Sequence, residues 1–588
     1  MYYKRPFLAV VLFSSLWFPS CQRSKLVVEV PTVTAVLRFE NLSSSATEDW
    51  QGRALSELLQ RRFGSNRVPH SFSPSPGISA ERLAAIGAGA TRIITGYFTS
   101  SGASLTVTAF AEDIGTQKLA GPIRATGSLS AIAASLAKQL NGLRPVTLNP
   151  DSPAIPEYSK ALDTTGQKAL QHYDLAVQAD PEFGPAYLGA LQAAAATDAA
   201  RVQPLLTLAS AHSSKFSPED RAYLQLESAT LARDAQGRVQ ALAALAATNP
   251  QNIDAVKTLA DAEMSSHKAA DAARHYRQLT VSTPTDPNLQ NLLAYSAVFA
   301  GDEPVARTAA LDYRHLRPQD PNAFDTQGDI EFAFGHFAEA EKFYLASPDQ
   351  GFQDFSPSWK AGQARLLAGD IAGANTVFEK HRALLASASA PAAVYRAALW
   401  KYLTGHAQQA TTAMAEFGAA QTGQPQWRSA ALTQAAIWAL VAGDTAHAAQ
   451  WSDLALHPPQ QSTFAQAALA RFLAQPSADA ATWQRRAESS FHGPDSAALS
   501  RLARAYALIM IKDFRAAAPV WKNIYDSTNV NDMSTAYLYG WTLLETGHPT
   551  EAAPLLKLYP IPPPAIVPNF DALYITRLAE WRKSSLRQ

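Results

Sequence analysis

Hydrophobic and polar positions change rhythm once along this chain. Between Thr34 and Ala125 the apolar residues come in short runs. Leu105, Val107, Ala109 and Ala111 alternate with Thr106, Thr108 and Phe110, the period of a strand with two different faces. Thr34 to Phe39, Arg92 to Thr99, Ser104 to Ala111 and Gln117 to Ala125 read as strands, and Asn66 to Val68 as the start of another. Glu40 to Ser44 and Ser100 to Gly102 read as turns. Trp50, Ala54, Leu55, Leu58, Leu59 and Phe63 recur at helical spacing, and shorter helices are predicted over Ser79 to Ile86 and Ser130 to Leu140. Beyond Pro156 the alternation gives way to helical spacing, and a slower beat appears. Pro250, Pro284 and Pro318 keep a period of about 34 residues, as do Ala272, Ala306 and Ala340, Leu259 and Leu293, and Gly301 and Gly335. Such a period marks one helix-turn-helix unit used many times, each burying its flank against the next and leaving long curved surfaces free.

Within each unit the small residues mark where two helices approach closely. Ala260, Ala272 and Tyr276 fall in phase in one unit, Ala294 and Ala306 in the next, and Phe324, Gly328, Ala340 and Tyr344 in a third. Gly-Asp or Gly-His pairs at Gly301, Gly335, Gly369, Gly405, Gly443 and Gly547 mark the turn inside a unit. The beat is strict from Pro250 to Tyr344. After Phe378 the anchors Ala410, Ala448, Ala487, Ala517 and Ala552 drift in spacing. This pattern resembles the tetratricopeptide repeat, which implies an all-α superhelical solenoid over residues 157–558 with the first helix of each unit lining a concave groove. In that family the second, fifth, ninth and twelfth positions point into the groove. Here they hold Lys257, Asp261, Asn291, Tyr295, Asp325, Asp329 and Phe332. Polar and aromatic groups on one strip suit an extended or helical peptide; the plainer alternative is a solvated helix face. Asp325 and Asp329 stand one helical turn apart and superficially resemble a catalytic carboxylate pair, but an acidic peptide groove is the better reading.

The first strand and the turn after it, Val36-Leu37-Arg38-Phe39-Glu40-Asn41-Leu42-Ser43, look like the start of the TolB-amino-terminal-like domain. Gly87-Ala88-Gly89-Ala90-Thr91-Arg92-Ile93-Ile94-Thr95-Gly96 is similar to a later segment of the same family. The resemblance implies a small α/β (α+β) domain over residues 22–143. Arg38 replaces the family's usual proline. This domain accompanies tetratricopeptide repeats in bacterial kinases, cyclases and regulators. The kinase loops and winged helix of those proteins are missing, so the chain looks like their sensory and repeat half. Residues 144–156, with Pro145, Pro150, Pro153 and Pro156, read as a linker.

The amino terminus adds a location. Lys4 and Arg5 precede an apolar stretch from Phe7 to Phe18, and Cys21, the chain's one cysteine, follows. Residues 1–21 resemble a bacterial lipoprotein signal, which implies cleavage before Cys21 and lipid attachment to its thiol; a plain secretory signal and an uncleaved anchor remain the alternatives. Residues 559–588 hold Pro560 and Pro562 to Pro564. A basic helix with Trp581, Arg582 and Lys583 follows, read as a cap on the solenoid or a membrane-surface contact.

Composition narrows the function. A chain of 588 residues exceeds one hydrophobic core, as a repeat array requires. Lys+Arg and Asp+Glu are both 50, so nothing favours nucleic acid as a partner. Gly-x-Ser-x-Gly, His-Glu-x-x-His and Walker A motifs are missing, and the 13 histidines show no metal-ligand spacing. The expectation is a non-enzymatic, lipid-anchored, periplasm-facing scaffold of the cell envelope, at the outer membrane, with no cofactor, metal or catalytic residues. It would bind a protein or peptide partner. Alternatives are a structural part of an envelope secretion or export machine, and a sensory or regulatory half related to repeat-containing kinases or regulators.

Overall fold

The computed structural model describes residues 33–43, 45–63, 78–87, 90–101, 104–142, 148–248, 250, 252–347, 357–460, 463–475, 479–491, 496–528 and 532–557. Cys21 and the stretch read as a signal, the strand expected at Asn66 to Val68, Gly102, part of the Pro-rich stretch, and residues 558–588 lie outside them.

The chain opens with a mixed sheet. Strands β1 (Thr34–Val36) and β2 (Glu40–Asn41) both pair parallel with β3 (Arg92–Ser101). Antiparallel β4 (Ser104–Asp113) and β5 (Lys118–Gly127) extend it, giving the order β1-β3-β4-β5. Helices α1 (Trp50–Phe63) and α3 (Leu129–Gln139) cover one face, and α2 (Ile78–Gly87) packs on the other beside Ala35, Leu37 and Ile93. The expected single strand from Thr34 to Phe39 is broken, and part of the expected turn after it pairs as β2. The cause is Phe39, which turns into the core while its N–H donates to the Gly52 carbonyl. A side chain on Gly52 would collide with the Phe39 backbone, so only glycine lets α1 approach here. The β5 edge is blunted: Gly121 sits at φ 124° and Pro122 offers no N–H for strand addition.

Helical hairpins follow. The first helices of the early units are α4 (Ile155–Leu162), α6 (Gly184–Thr197), α8 (Pro218–Leu231), α10 (Ile253–Ser265), α12 (Pro287–Ala300), α14 (Pro321–Ala333) and α16 (Pro357–Leu367). Their partners are α5 (Gly166–Ala179), α7 (Val202–His212), α9 (Ala235–Thr248), α11 (Ala269–Ser282), α13 (Glu303–Leu316), α15 (Phe337–Leu345) and α17 (Ile371–Ala388). The array continues through α18 (Ala390–Leu403), α19 (Ala407–Ala420), α20 (Pro425–Val441), α21 (Thr445–Ala455), α22 (Phe464–Leu473), α23 (Ala480–Ser490), α24 (Ser496–Met510), α25 (Phe514–Ser527), α26 (Met533–Glu545) and α27 (Pro549–Lys557). The chain is therefore a small α/β module followed by a helical solenoid.

The turn chemistry explains the beat. Gly301, Gly335, Gly369, Gly405, Gly443 and Gly547 all adopt positive φ and end a first helix. Asp302, Asp370 and Asp444 then cap the second helix, accepting from the N–H groups of Val305, Gly373 and His447. Arg233, His267 and Lys512 hold the same left-handed place without being glycine. The drifting carboxy-terminal units keep the packing: Ala410, Ala448, Ala487, Ala517 and Ala552 are as fully buried as Ala272, Ala306 and Ala340. Spacing varies there because helix lengths vary, not because the contact is lost.

Sheet module and solenoid share one core. Leu148 and Ala154, in the stretch read as a linker, are buried in it with Leu55, Leu58, Tyr158 and Leu162. Arg53 of α1, only 7% exposed, bridges Glu81 at 2.8 Å and Asp163 of the first hairpin at 2.6 Å. Arg61 joins Glu57 at 3.0 Å and reaches Asp220 on α8 at 3.5 Å.

Candidate functional site

Successive first helices touch one another: α6 with α8, α12 with α14, α20 with α22 and α22 with α24. Most second helices instead lie chiefly between the first helix of their own unit and that of the next. The first helices are thus the crowded, inner row of the curved array, and their exposed strip is its concave face.

A polar ladder underlies that strip, open to solvent at Lys257 and Asp261 and buried at Thr326, Tyr344 and Lys360. The rung on α10 joins Lys257 to Asp261 at 2.7 Å, both nearly half exposed, and the Tyr276 hydroxyl donates to the other oxygen of Asp261 at 2.5 Å. The Thr326 hydroxyl on α14 donates to the Asn291 side-chain oxygen on α12 at 2.9 Å. Tyr295 on α12 donates to Asp329 Oδ2 at 2.9 Å, and Tyr344 on α15 donates to Asp329 Oδ1 at 2.7 Å. Lys360, reaching back from α16, donates to Asp325 at 2.7 and 2.8 Å and to Asp329 at 2.9 and 3.1 Å.

Local sequence builds this arrangement. A Cβ on Gly328 would strike the Tyr344 ring, so the glycine lets that ring cross α14 and deliver its hydroxyl to Asp329. Asp325 and Asp329, one turn apart on α14, face the same ammonium. The fifth and ninth positions of one unit therefore meet the sixth position of the next, Thr326 above Asn291 and Lys360 above Asp325.

The cluster is tight enough to shift protons. Burial, then the charge of Asp329, pushes the Asp325 carboxyl up to about 6, although Lys360 pulls it the other way. Burial alone would lower Lys360, but Asp329 and Asp325 outweigh it and hold the ammonium above its ordinary value. Burial, then Asp329, raises both Tyr295 and Tyr344 well above the phenol range, so both remain donors. Two carboxylates, one ammonium and two phenols can hold helices in register and present partly exposed acidic edges to a cation. They include no activated nucleophile. Among the described residues, no group of three or more His, Cys, Asp and Glu side chains is placed to hold a metal ion, and no helix is long and apolar enough to cross a membrane.

Six of the seven residues expected on the strip lie on this ladder: Lys257, Asp261, Asn291, Tyr295, Asp325 and Asp329. Phe332 does not line a groove. It is 3% exposed, 5.3 Å edge-on to Phe337, and clustered with Ala340, Tyr344 and Ala361, because the last turn of α14 is covered by the following hairpin. Sequence reasoning missed Lys360, Thr326 and Tyr344 as members of the site. A lysine at an otherwise core-facing position of the next unit was the available signal for the first.

No family model matches the chain, and no curated protein matches it. Among solved structures, the chain is similar to the structure of Naa15/Naa10 bound to HypK-THB, at 11% identity and a TM-score of 0.33. The similarity covers 73% of this chain and 64% of that one, a little under two thirds of its length.

Proposed function

We propose that this chain is a non-enzymatic scaffold that holds a protein partner on the concave row of first helices. The observation that carries the reading is the ladder itself: charged and hydrogen-bonding side chains from successive units aligned on one inner strip, with Lys257 and Asp261 half exposed at its open end. In the same reading Cys21 carries a lipid that tethers the chain to the bacterial envelope, as the resemblance of residues 1–21 to a lipoprotein signal implies. The test is capture from envelope extracts by the full chain. Exchanging the pair as Lys257→Asp with Asp261→Lys keeps an ion pair on the helix but reverses the charge pattern. Capture should fall at least tenfold with helicity unchanged, and undiminished capture would place the partner elsewhere. Cys21→Ala should move the protein from the membrane to the soluble fraction; if it stays with the membrane, the anchor is not at Cys21.

A further inference from the structure

The solenoid touches itself. His267 lies on the turn between α10 and α11, and Tyr525 lies at the end of α25, 258 residues later. Their rings stack with centroids 3.9 Å apart, and His267 Nε2 is 2.8 Å from the Tyr525 carbonyl oxygen. That carbonyl can only accept, so Nε2 donates, and Nδ1 finds no partner among the described residues. From α10–α11 to α24–α25 is seven hairpins, which the contact makes one turn of the superhelix.

The contact joins opposite edges of the ribbon. The turns inside each unit line one edge, and the connections between units line the other. His267 belongs to the first edge, and Tyr525, in the last turn of a second helix, to the other. Where the two meet, consecutive turns touch. His267 also occupies the left-handed position that glycine holds in six other units, at φ 57°. Arg233 and Lys512 share that strain, but their side chains are exposed, whereas the His267 ring is partly covered by Tyr525. A strained residue that makes a specific remote contact points to a role for the side chain.

We infer that the array closes into a tube at His267 and Tyr525, and that its inner ladder takes an extended polypeptide segment bearing basic side chains, entering through an end of the tube. This rests on the scaffold reading and adds the shape and charge of the partner. A folded domain cannot enter sideways through a closed wall, whereas a linear chain can pass end-on. The ladder's named charges are Asp261, Asp325 and Asp329 against Lys257 and Lys360, one carboxylate in excess, and a basic side chain complements it.

The test has two arms in a Cys21→Ser background. His267→Cys with Tyr525→Cys should be joined within one molecule by a short bis-maleimide, while Gly301→Cys with Tyr525→Cys should not. His267→Gly, which relaxes the backbone, should melt no lower than the parent yet scatter with a larger radius of gyration. Failure to cross-link, or an unchanged radius, overturns the tube. The second arm uses a Gly-Ser-Lys repeat peptide, free at both ends or inserted in a loop of a folded carrier. The uncross-linked and cross-linked proteins should both bind only the free peptide, whereas the His267→Gly protein should bind both forms. Equal binding of both forms after cross-linking refutes end-on entry. No binding of the free peptide refutes the basic segment, and capture from extracts then still decides the scaffold reading separately.

Discussion

Lys360→Met removes one ammonium and leaves two carboxylates facing each other. The Lys360 side chain is 8% exposed, and those of Asp325 and Asp329 are 19% and 26% exposed. Unit charges about 3 Å apart attract by about 5 kcal/mol at an effective dielectric near 20, and burying the ammonium offsets much of that. Removing one member of a buried pair strands the other, a loss of about 3–5 kcal/mol. The carboxylates keep some contact with water and the two tyrosine donors, so the lower end, about 3 kcal/mol at pH 7, is expected. The pH dependence fixes the sign. The folded value for Asp325, about 6, lies above its ordinary 3.8, so the folded chain holds the proton more tightly. Its stabilising contribution is full below about pH 4 and lost as pH rises through about 6, roughly 3 kcal/mol in all. Without Lys360 that carboxyl titrates higher still, so the variant should recover much of its loss between pH 7 and pH 5. Adding Asp325→Asn should restore stability at pH 7, because Asp329 keeps its two phenol donors. The assay is urea unfolding at pH 5 and pH 7, with hydrogen exchange in α14 and α16, since a repeat array can open locally. A Lys360→Met protein within about 1 kcal/mol of wild type at pH 7, or one that acid fails to rescue, refutes the buried ion cluster.

Two further variants probe how the site is held. Gly328→Ala drives a methyl into the Tyr344 ring and should cost about 1–3 kcal/mol in urea melts, with faster exchange in α15. A cost near zero would mean that ring is free to move. Arg53→Met leaves Glu81 and Asp163 without their shared guanidinium and should cost about 3–5 kcal/mol, with limited proteolysis separating the sheet module from the hairpins. If the two still resist cleavage as one body, the apolar core alone joins them.

The alanine beat was legible because close helix approach admits few side chains, and the structure buries every anchor named. The left-handed turns were legible only where glycine marks them. Arg233, His267 and Lys512 take the same backbone without any sequence signal, because the hairpin enforces it. The fifth and ninth positions found the ladder, since helical phase is local. Lys360 was hidden because its pairing depends on the rotation from one unit to the next, which no single unit encodes. Phe332 misled for a related reason: its helix ends one residue later, and the next hairpin covers what phase alone would expose. The β2 pairing was hidden because it depends on the distant backbone of Gly52 drawing Phe39 inward.

The shared core between the sheet module and the first hairpins has a consequence for synthesis. Translation completes the module before any hairpin, and α1 then offers a finished apolar flank with Arg53 and Arg61 at its border. The first hairpin condenses on that template, and each later one needs only its predecessor, so the array can assemble in the order it is made. A chain that begins at the hairpins would start with a bare amino-terminal flank and no such template, and that flank would be the more prone to join the wrong neighbour.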